Sequence, residues 1–458
     1  MAPLEYRRPL PSKQTKLTRY GGWIPADPRI WEAFLNHLLG NIDTRKGHVL
    51  AVKTFQDAIN ADPELVDLFD QTFLQVSDCS KIKSFDELLY CMDQIVPIGV
   101  PLYLLFDLLS NTSAGYDLLR KEKLNVPLRD LLNSWGAYLR GPGSNSTLND
   151  TDEGWFGELG LETLESDGRG VFNETYECPD PSAVNRGFTS WDEFFTRKFL
   201  PGVRPVCRPN PPQLLVYNAC ESTVYRIQTE VKEHDQFWLK GQPYSIYDML
   251  GRRDDDVAHS FIGGTVYQAF LSPYDYHRWH SPVDGVIKEV QLIEGTYYAA
   301  LPDDGADPDD PDFQAGDPRG ALIRSQSWLT VAATRALIYI EADDKRIGTV
   351  VFIGVGMAEV STCDITVGPG KKVCVGDEIG MFHFGGSTHA LIFGPNVELH
   401  FDEDVKVNTH IQVNKPLAAT GTDQTDAVQS VAKRLQALSP KRQEAPGSLC
   451  FNLTLVFS

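Results

Sequence analysis

EIGMFHFGGSTHALIF, residues 378–393, sets two strand-like runs on either side of a glycine pair. Glu378–Phe384 and Ala390–Phe393 carry the β-branched and aromatic residues that favour strands, and Gly385-Gly386-Ser387-Thr388 between them has the composition of a turn. Working outward, similar short runs recur from about residue 213: Thr265–Leu271, Gly285–Leu292, Ala336–Ile340, Thr349–Val355 and Val397–Phe401, broken by Gly, Pro and Asp. Upstream the period changes to that of a helix. Phe55, Ile59, Leu65, Leu68 and Phe69 recur at helical spacing, as do Leu104, Leu105, Leu108 and Leu109, then Leu128, Leu131 and Leu132. The expected fold class is therefore α+β, a helical N-terminal region followed by a β-rich, mainly antiparallel one.

Several segments read as connections. GPGSNSTLNDTDEG (141–154) has linker composition, and PDDGADPDDPD (302–312) is an acidic, proline-broken surface insertion without the ligand spacing of a calcium loop. Near the end, Val428, Val431, Leu435 and Leu438 could line a short helix beginning at Thr425.

Composition excludes whole classes. The chain has 458 residues, 42% hydrophobic and 23% charged, enough to bury a large core. Lys plus Arg is 42 against 62 Asp plus Glu, a net charge of −20. That excludes a nucleic-acid partner, which would need a basic surface, and disfavours recruitment to an anionic membrane. Eight cysteines without a CxxC pair argue against a disulfide framework and a cysteine-based metal site. The basic N-terminus lacks the apolar core of a secretory signal, and no run of 18 apolar residues exists. Ile95 to Leu109 is the greasiest stretch, but two prolines and Asp107 make it a buried helix and not an integral membrane span. The expected location is cytoplasmic.

The glycine-rich turn excludes familiar chemistries. G-x-S-x-G would need Gly where His389 stands, and the string lacks the length and Lys of a phosphate-binding loop. What remains is a serine hydroxyl beside an unhindered glycine carbonyl. With a nearby base, the hydroxyl of Ser387 can attack that carbonyl. The ester can then break by β-elimination, leaving a dehydroalanine that hydrolyses to a pyruvoyl group. Such a carbonyl takes a substrate amine as a Schiff base and draws in the electrons released with CO2. The second element is Tyr276-His277-Arg278-Trp279-His280-Ser281-Pro282. Two histidines three apart would share a face of a helix, as a metal pair does, but no third ligand at metal spacing accompanies them.

In order along the chain, four segments resemble the phosphatidylserine decarboxylase proenzymes, which mature by this self-cleavage. They are WDEFFTRKFLPGVRP (191–205), FWLKGQPYSIYDMLG (237–251), LSPYDYHRWHSPVDG (271–285) and VGDEIGMFHFGGST (375–388), the last with one extra glycine before the serine. ACES (219–222), IEAD (340–343) and EVSTC (359–363) resemble the fungal branch of that family that decarboxylates tryptophan. The resemblance covers most of residues 20–420. It implies a tail with a first helix at 1–40, a helical decarboxylase-associated domain at 41–185, a pyruvoyl decarboxylase catalytic domain at 186–420 and a C-terminal tail at 421–458.

The resemblance also implies roles. Cleavage falls between Gly386 and Ser387, giving chains of 386 and 72 residues that stay associated. Ser387 becomes the pyruvoyl cofactor, with no pyridoxal phosphate (PLP) and no metal. His280 matches the base on the serine hydroxyl, and His277 the histidine of the decarboxylation step. Arg278 could clamp a substrate carboxylate, although an internal salt bridge is its simpler reading. One departure stands out: the family's triad acid is an Asp, and Glu221 takes its place here, with Asp284 an alternative.

Absence of a span and the acidic charge disfavour a lipid substrate. Phe382, Phe384, Tyr274, Trp279 and Tyr298 lie in or near the motifs and could wall an aromatic pocket, with Phe384 and Trp279 the foremost substrate contacts. The expected reaction is decarboxylation of an aromatic L-amino acid, L-tryptophan to tryptamine first. The alternatives are a phosphatidylserine decarboxylase, an unprocessed binding protein and a serine hydrolase.

Overall fold

The computed structural model describes residues 28–99, 101–151, 154–209, 214–234, 244–252, 255–303, 318–359, 362–384 and 387–421. Among the described residues, seven helices come first: Pro28–Gly40, Leu50–Asn60, Pro63–Gln75, Phe85–Ile95, Tyr103–Ser110, Ser113–Leu119 and Glu122–Leu139. Three start on side-chain caps: the Asp62 carboxylate accepts from Glu64 N–H, the Ser84 hydroxyl from Glu87 N–H and the Thr112 hydroxyl from Gly115 N–H. The single helix expected across Ile95 to Leu109 is two. Pro97 and Pro101 cannot carry a helical hydrogen bond, so the chain turns through Val96–Ile98 and a left-handed Gly99 before resuming at Tyr103.

Fourteen strands follow: β1 Leu215–Tyr217, β2 Ser222–Gln228, β3 Thr265–Leu271, β4 Arg278–His280, β5 Gly285–Ile293, β6 Arg335–Ala342, β7 Thr349–Gly356, β8 Thr362–Ile365, β9 Lys372–Val373, β10 Glu378–His383, β11 Ser387–Phe393, β12 Leu399–Phe401, β13 His410–Ile411 and β14 Pro416–Thr420. Eight form one antiparallel sheet in the order β13-β2-β3-β11-β7-β6-β5-β9; β4-β10-β8 and β1-β14-β12 make two smaller sheets. The fold is α+β.

The central strands are buried on both faces, so β7 reads as a nearly unbroken apolar run while β3 and β11 also bury Gln268 and His389. Alternate residues still part cleanly. Val266, Phe270, Val351, Ile353, Ala390 and Ile392 join the cluster that contains the N-terminal helices. Tyr267, Ala269, Leu271, Phe352, Leu391 and Phe393 join the opposite cluster, with Trp279, Ile379 and Phe382 of the β4-β10-β8 sheet. The large sheet is thus the middle layer between a helical layer and a small sheet.

Two expectations change here. Residues 141–154 are not a free linker: Ser144 Oγ donates to Leu139 O at 2.8 Å and accepts from Trp191 N at 2.8 Å, and Leu148 is buried with Phe156, Phe172 and Phe194. Polar composition hid an anchored turn. Ser387 and Thr388, which have turn composition in the sequence, belong to β11. The acidic insertion beyond Asp303, the start of the KGQPYS segment and the helix expected over 425–438 lie outside the described residues.

Candidate active site

Ser387 opens β11 in the middle of the large sheet, paired with Leu271 of β3 on one side and Gly356 of β7 on the other. Its side chain shares the face of Leu391 and Phe393, toward β4 and β10. It is fully buried, and Oγ has no hydrogen-bond partner among the described residues. Such groups are rare in native folds, because each forfeits its hydration for nothing in return. Gly386, the other half of the expected cleavage site, lies outside the described residues.

The histidine motif is tied to both sides of that serine. Upstream, β3 ends at Leu271, and the chain turns at once: Asp275 N donates to Ser272 O, and the Asp275 carboxylate accepts from Ser272 N at 2.7 Å. Downstream, β4 pairs with β10, placing Arg278 opposite Met381 and Trp279 opposite Gly380, while Phe382 N donates to His277 O at 3.0 Å. β10 then runs through Phe384 toward Ser387.

His277 is fully buried and neither ring nitrogen has a partner among the described residues. Its ring stacks on Phe195 at 3.9 Å. Burial pulls its pKa down to about 3, so the imidazole is neutral near pH 7. His280 is held differently. Nδ1 lies 2.7 Å from Gly376 O, a group that only accepts, so Nδ1 carries the proton. Nε2 therefore holds the lone pair and accepts from the Tyr276 hydroxyl at 3.0 Å. Burial lowers the His280 pKa as well. The base atom of His280 is thus defined, and Tyr276 sits on it.

Glu221 is fully buried but does not meet His280. Its carboxylate takes Arg204 Nη2 at 2.7 Å, Arg204 Nε at 3.2 Å and Val413 N at 2.8 Å. The carboxylate so completes a buried ion pair with Arg204, and no hydrogen bond joins it to His280 among the described residues. Asp284 pairs with Arg208 and accepts from Val375 N at the surface, a turn residue as its simpler reading has it. Arg278 makes the internal salt bridge of its simpler reading. Its Nη1 meets the Glu378 carboxylate at 2.9 Å and its Nε donates to Thr196 O at 2.8 Å, so its donors serve the fold.

The aromatic wall also dissolves into packing. Trp279 is fully buried between Phe382 and Phe352 and over Gly354, where no other side chain would fit. Phe384 is buried against Trp135 of helix Glu122–Leu139. Tyr298 stacks on Phe106 and Tyr274 packs near Trp155. Four of the five rings are buried in the core and Tyr274 is half-buried at its edge, which residue type alone cannot distinguish from a pocket.

Sequence reasoning passed over a buried charge cluster at the same sheet end. The Asp275 carboxylate takes Arg169 Nε at 2.6 Å and lies 3.1 Å from His410 Nε2. Burial alone would raise its pKa, but Arg169 and His410 hold it well below the usual carboxylate range. Asp275 was visible inside the Tyr276 motif; Arg169 and His410 are lone residues far off in sequence, with no local signal. The described residues contain no group of three or more His, Cys, Asp or Glu able to hold a metal.

Ser387 is thus a buried serine whose hydroxyl has no partner among the described residues, and it follows two glycines in sequence. Comparison with known proteins identifies the family. A family model described as phosphatidylserine decarboxylase matches residues 191–419, and a second with the same description matches residues 49–164. The decarboxylase iboD of Amanita muscaria is 57% identical over 323 residues, 70% of this chain and 91% of that one. The L-tryptophan decarboxylase of Psilocybe cubensis is 31% identical over 419 residues, 87% of this chain and 94% of that one. Phosphatidylserine decarboxylase proenzyme 3 of Schizosaccharomyces pombe is 34% identical over 227 residues, 50% of this chain and 21% of that one.

Proposed function

The chain belongs to the phosphatidylserine decarboxylase family and is a carboxy-lyase, and on that premise we propose that it cuts itself before Ser387 and then decarboxylates a free aromatic L-amino acid, L-tryptophan first. The observation that carries the first half is the Ser387 hydroxyl: fully buried, unpartnered among the described residues and in register beside Leu271, whose turn leads into the histidine motif. Ser387 Oγ attacks the carbonyl carbon of Gly386 and gives up its proton. The C–O bond forms, the peptide C–N bond breaks, and the proton passes to the freed amine of residue 387. Loss of the Ser387 α-proton then expels the Gly386 carboxylate as the new chain end, and water releases ammonia. The fixed tautomer of His280 makes Nε2 the atom to take the serine proton, and the Tyr276 hydroxyl must yield it or pass the proton on.

The pyruvoyl group so formed supplies a carbonyl that binds the substrate amine and accepts electrons as CO2 leaves. The chain's own part is to exclude water and manage a proton. His277, neutral and buried on Phe195, is proposed to protonate the carbon that has lost CO2. The large chain, with the helical part 41–185 and most of 186–420, stays bound to the small chain because β11 is the middle strand of the sheet that both build. No pyridoxal phosphate or metal is required by this route.

The L-tryptophan decarboxylases are matched over both the helical and the β-rich parts, which supports a free amino acid. No described helix is long and apolar enough to cross a membrane, and the charge is −20. Cytoplasmic location is proposed on the same ground. A lipid reading has its own support, since the 34% match to a phosphatidylserine decarboxylase falls on half of the chain. CO2 release with tryptophan, tyrosine, phenylalanine and phosphatidylserine vesicles decides: turnover of tryptophan above the lipid is expected, and turnover of the lipid alone would overturn the substrate assignment.

A further inference from the structure

We propose that helix Glu122–Leu139 clamps the segment entering the cleavage site, with Gly136 as the positioning residue. The proposal rests on the reading of Ser387 as a self-cleaving serine. Phe384 stands three residues before Ser387 and has φ of +70°, a left-handed conformation that a bulky side chain adopts only where its surroundings impose it. Those surroundings come from the helical part of the chain. The Phe384 ring is 3% exposed, edge-on to Trp135 at 5.7 Å, with the Arg140 guanidinium 4.8 Å over its face.

Gly136 is what makes room. A Cβ there would stand 2.8 Å from Phe384 Cε2 and 3.1 Å from Cζ. Trp135 meets the ring edge-on and Arg140 covers its face, which directs the displacement toward the backbone of residue 384. The preceding residue is fixed as well: His383 pairs with Thr362 in β8, and its Nδ1 lies 2.9 Å from Asp192. The far side is fixed by Ser387 in register between β3 and β7. Phe384 is the last described residue before the nucleophile, so its placement sets where the chain enters the cleavage site, and misplacement of reacting groups by a fraction of an ångström is costly.

The test is the rate at which the full-length precursor becomes two chains, followed after cell-free synthesis. Gly136→Ala is expected to slow cleavage by about tenfold. A merely structural clash predicts that any slowing is matched by lost stability, read as a lower melting temperature of Gly136→Ala in the uncut Ser387→Ala protein, whereas the clamp predicts slowing at a temperature where that protein is fully folded. Phe384→Gly removes the ring and accepts the positive φ without cost. If the clamp acts through the ring, Gly136→Ala has no effect in that background. The proposal is overturned if Gly136→Ala cleaves at the parental rate, or slows cleavage equally with and without the ring. Ser387→Ala is run beside them: a parent that yields no small chain, or a Ser387→Ala protein that does, overturns the self-cleavage reading itself and not the clamp alone.

Discussion

Glu221→Gln separates a buried ion pair from a catalytic acid. Glu221 is fully buried and the Arg204 side chain is 8% exposed. Burial alone would lower the Arg204 pKa, but the Glu221 carboxylate holds it above the usual arginine value. Removing one charge of a buried pair costs about 3–5 kcal/mol, because the other is left uncompensated. Glutamine keeps the shape and can still accept from Val413 N, which places the loss near the lower end, about 3 kcal/mol. At about 2–4 °C per kcal/mol for domains of moderate size, the melting temperature should fall by roughly 6–12 °C. Self-cleavage should nevertheless run to completion at a temperature where the variant is folded, because neither ring nitrogen of His280 touches Glu221. Arg204→Met with Glu221→Gln removes both charges and should recover most of the stability. The assay is thermal unfolding with gel-followed cleavage. A Glu221→Gln protein that melts like the parent and stays uncut would refute the reasoning and return Glu221 to a triad.

His277→Ala should still produce both chains but release CO2 slowly, at about 1% of the parental rate or less for loss of a general acid; a variant that fails to cleave would move His277 into the processing step. Acid stability follows from His277 and His389, both buried and held at about 3 by burial. A folded-state pKa below the ordinary 6.5 means that the unfolded chain binds the extra proton, so stability is lost as pH falls from about 6.5 toward 3. Between pH 7 and pH 5 each should cost about 2 kcal/mol. His389 packs beside Phe352 and Tyr267, so His389→Phe should lose about 2 kcal/mol less than the parent over that interval, read by denaturant unfolding at both pH values. Equal losses would contradict burial as the cause.

Periodicity carried most of the fold. The apolar spacing of Phe55, Ile59 and Leu65 and the runs at Thr265–Leu271 and Thr349–Val355 became helices and central strands because each element buries its own pattern. What escaped was long-range. Nothing local says that Arg204 will claim Glu221, that Trp279 and Phe382 will fill the space between two sheets, or that Ser144 will anchor Trp191. Ser387, His277 and His280 stand out in the sequence because each lies in a short motif, and the structure buries Ser387 and His277 completely. The layer that holds Phe384 does not stand out there, since Gly136 gains meaning only when a distant ring arrives beside it.

The central claim is that Ser387 becomes the N-terminal group of a separate chain. Mass spectrometry of the purified protein, with and without a hydrazine, tests it directly. The account predicts two associated chains of 386 and 72 residues, the shorter beginning with a carbonyl that the hydrazine labels, and a single uncut chain in Ser387→Ala. A parental protein that runs as one 51.1 kDa chain, or a Ser387 that a fluorophosphonate labels, would contradict it.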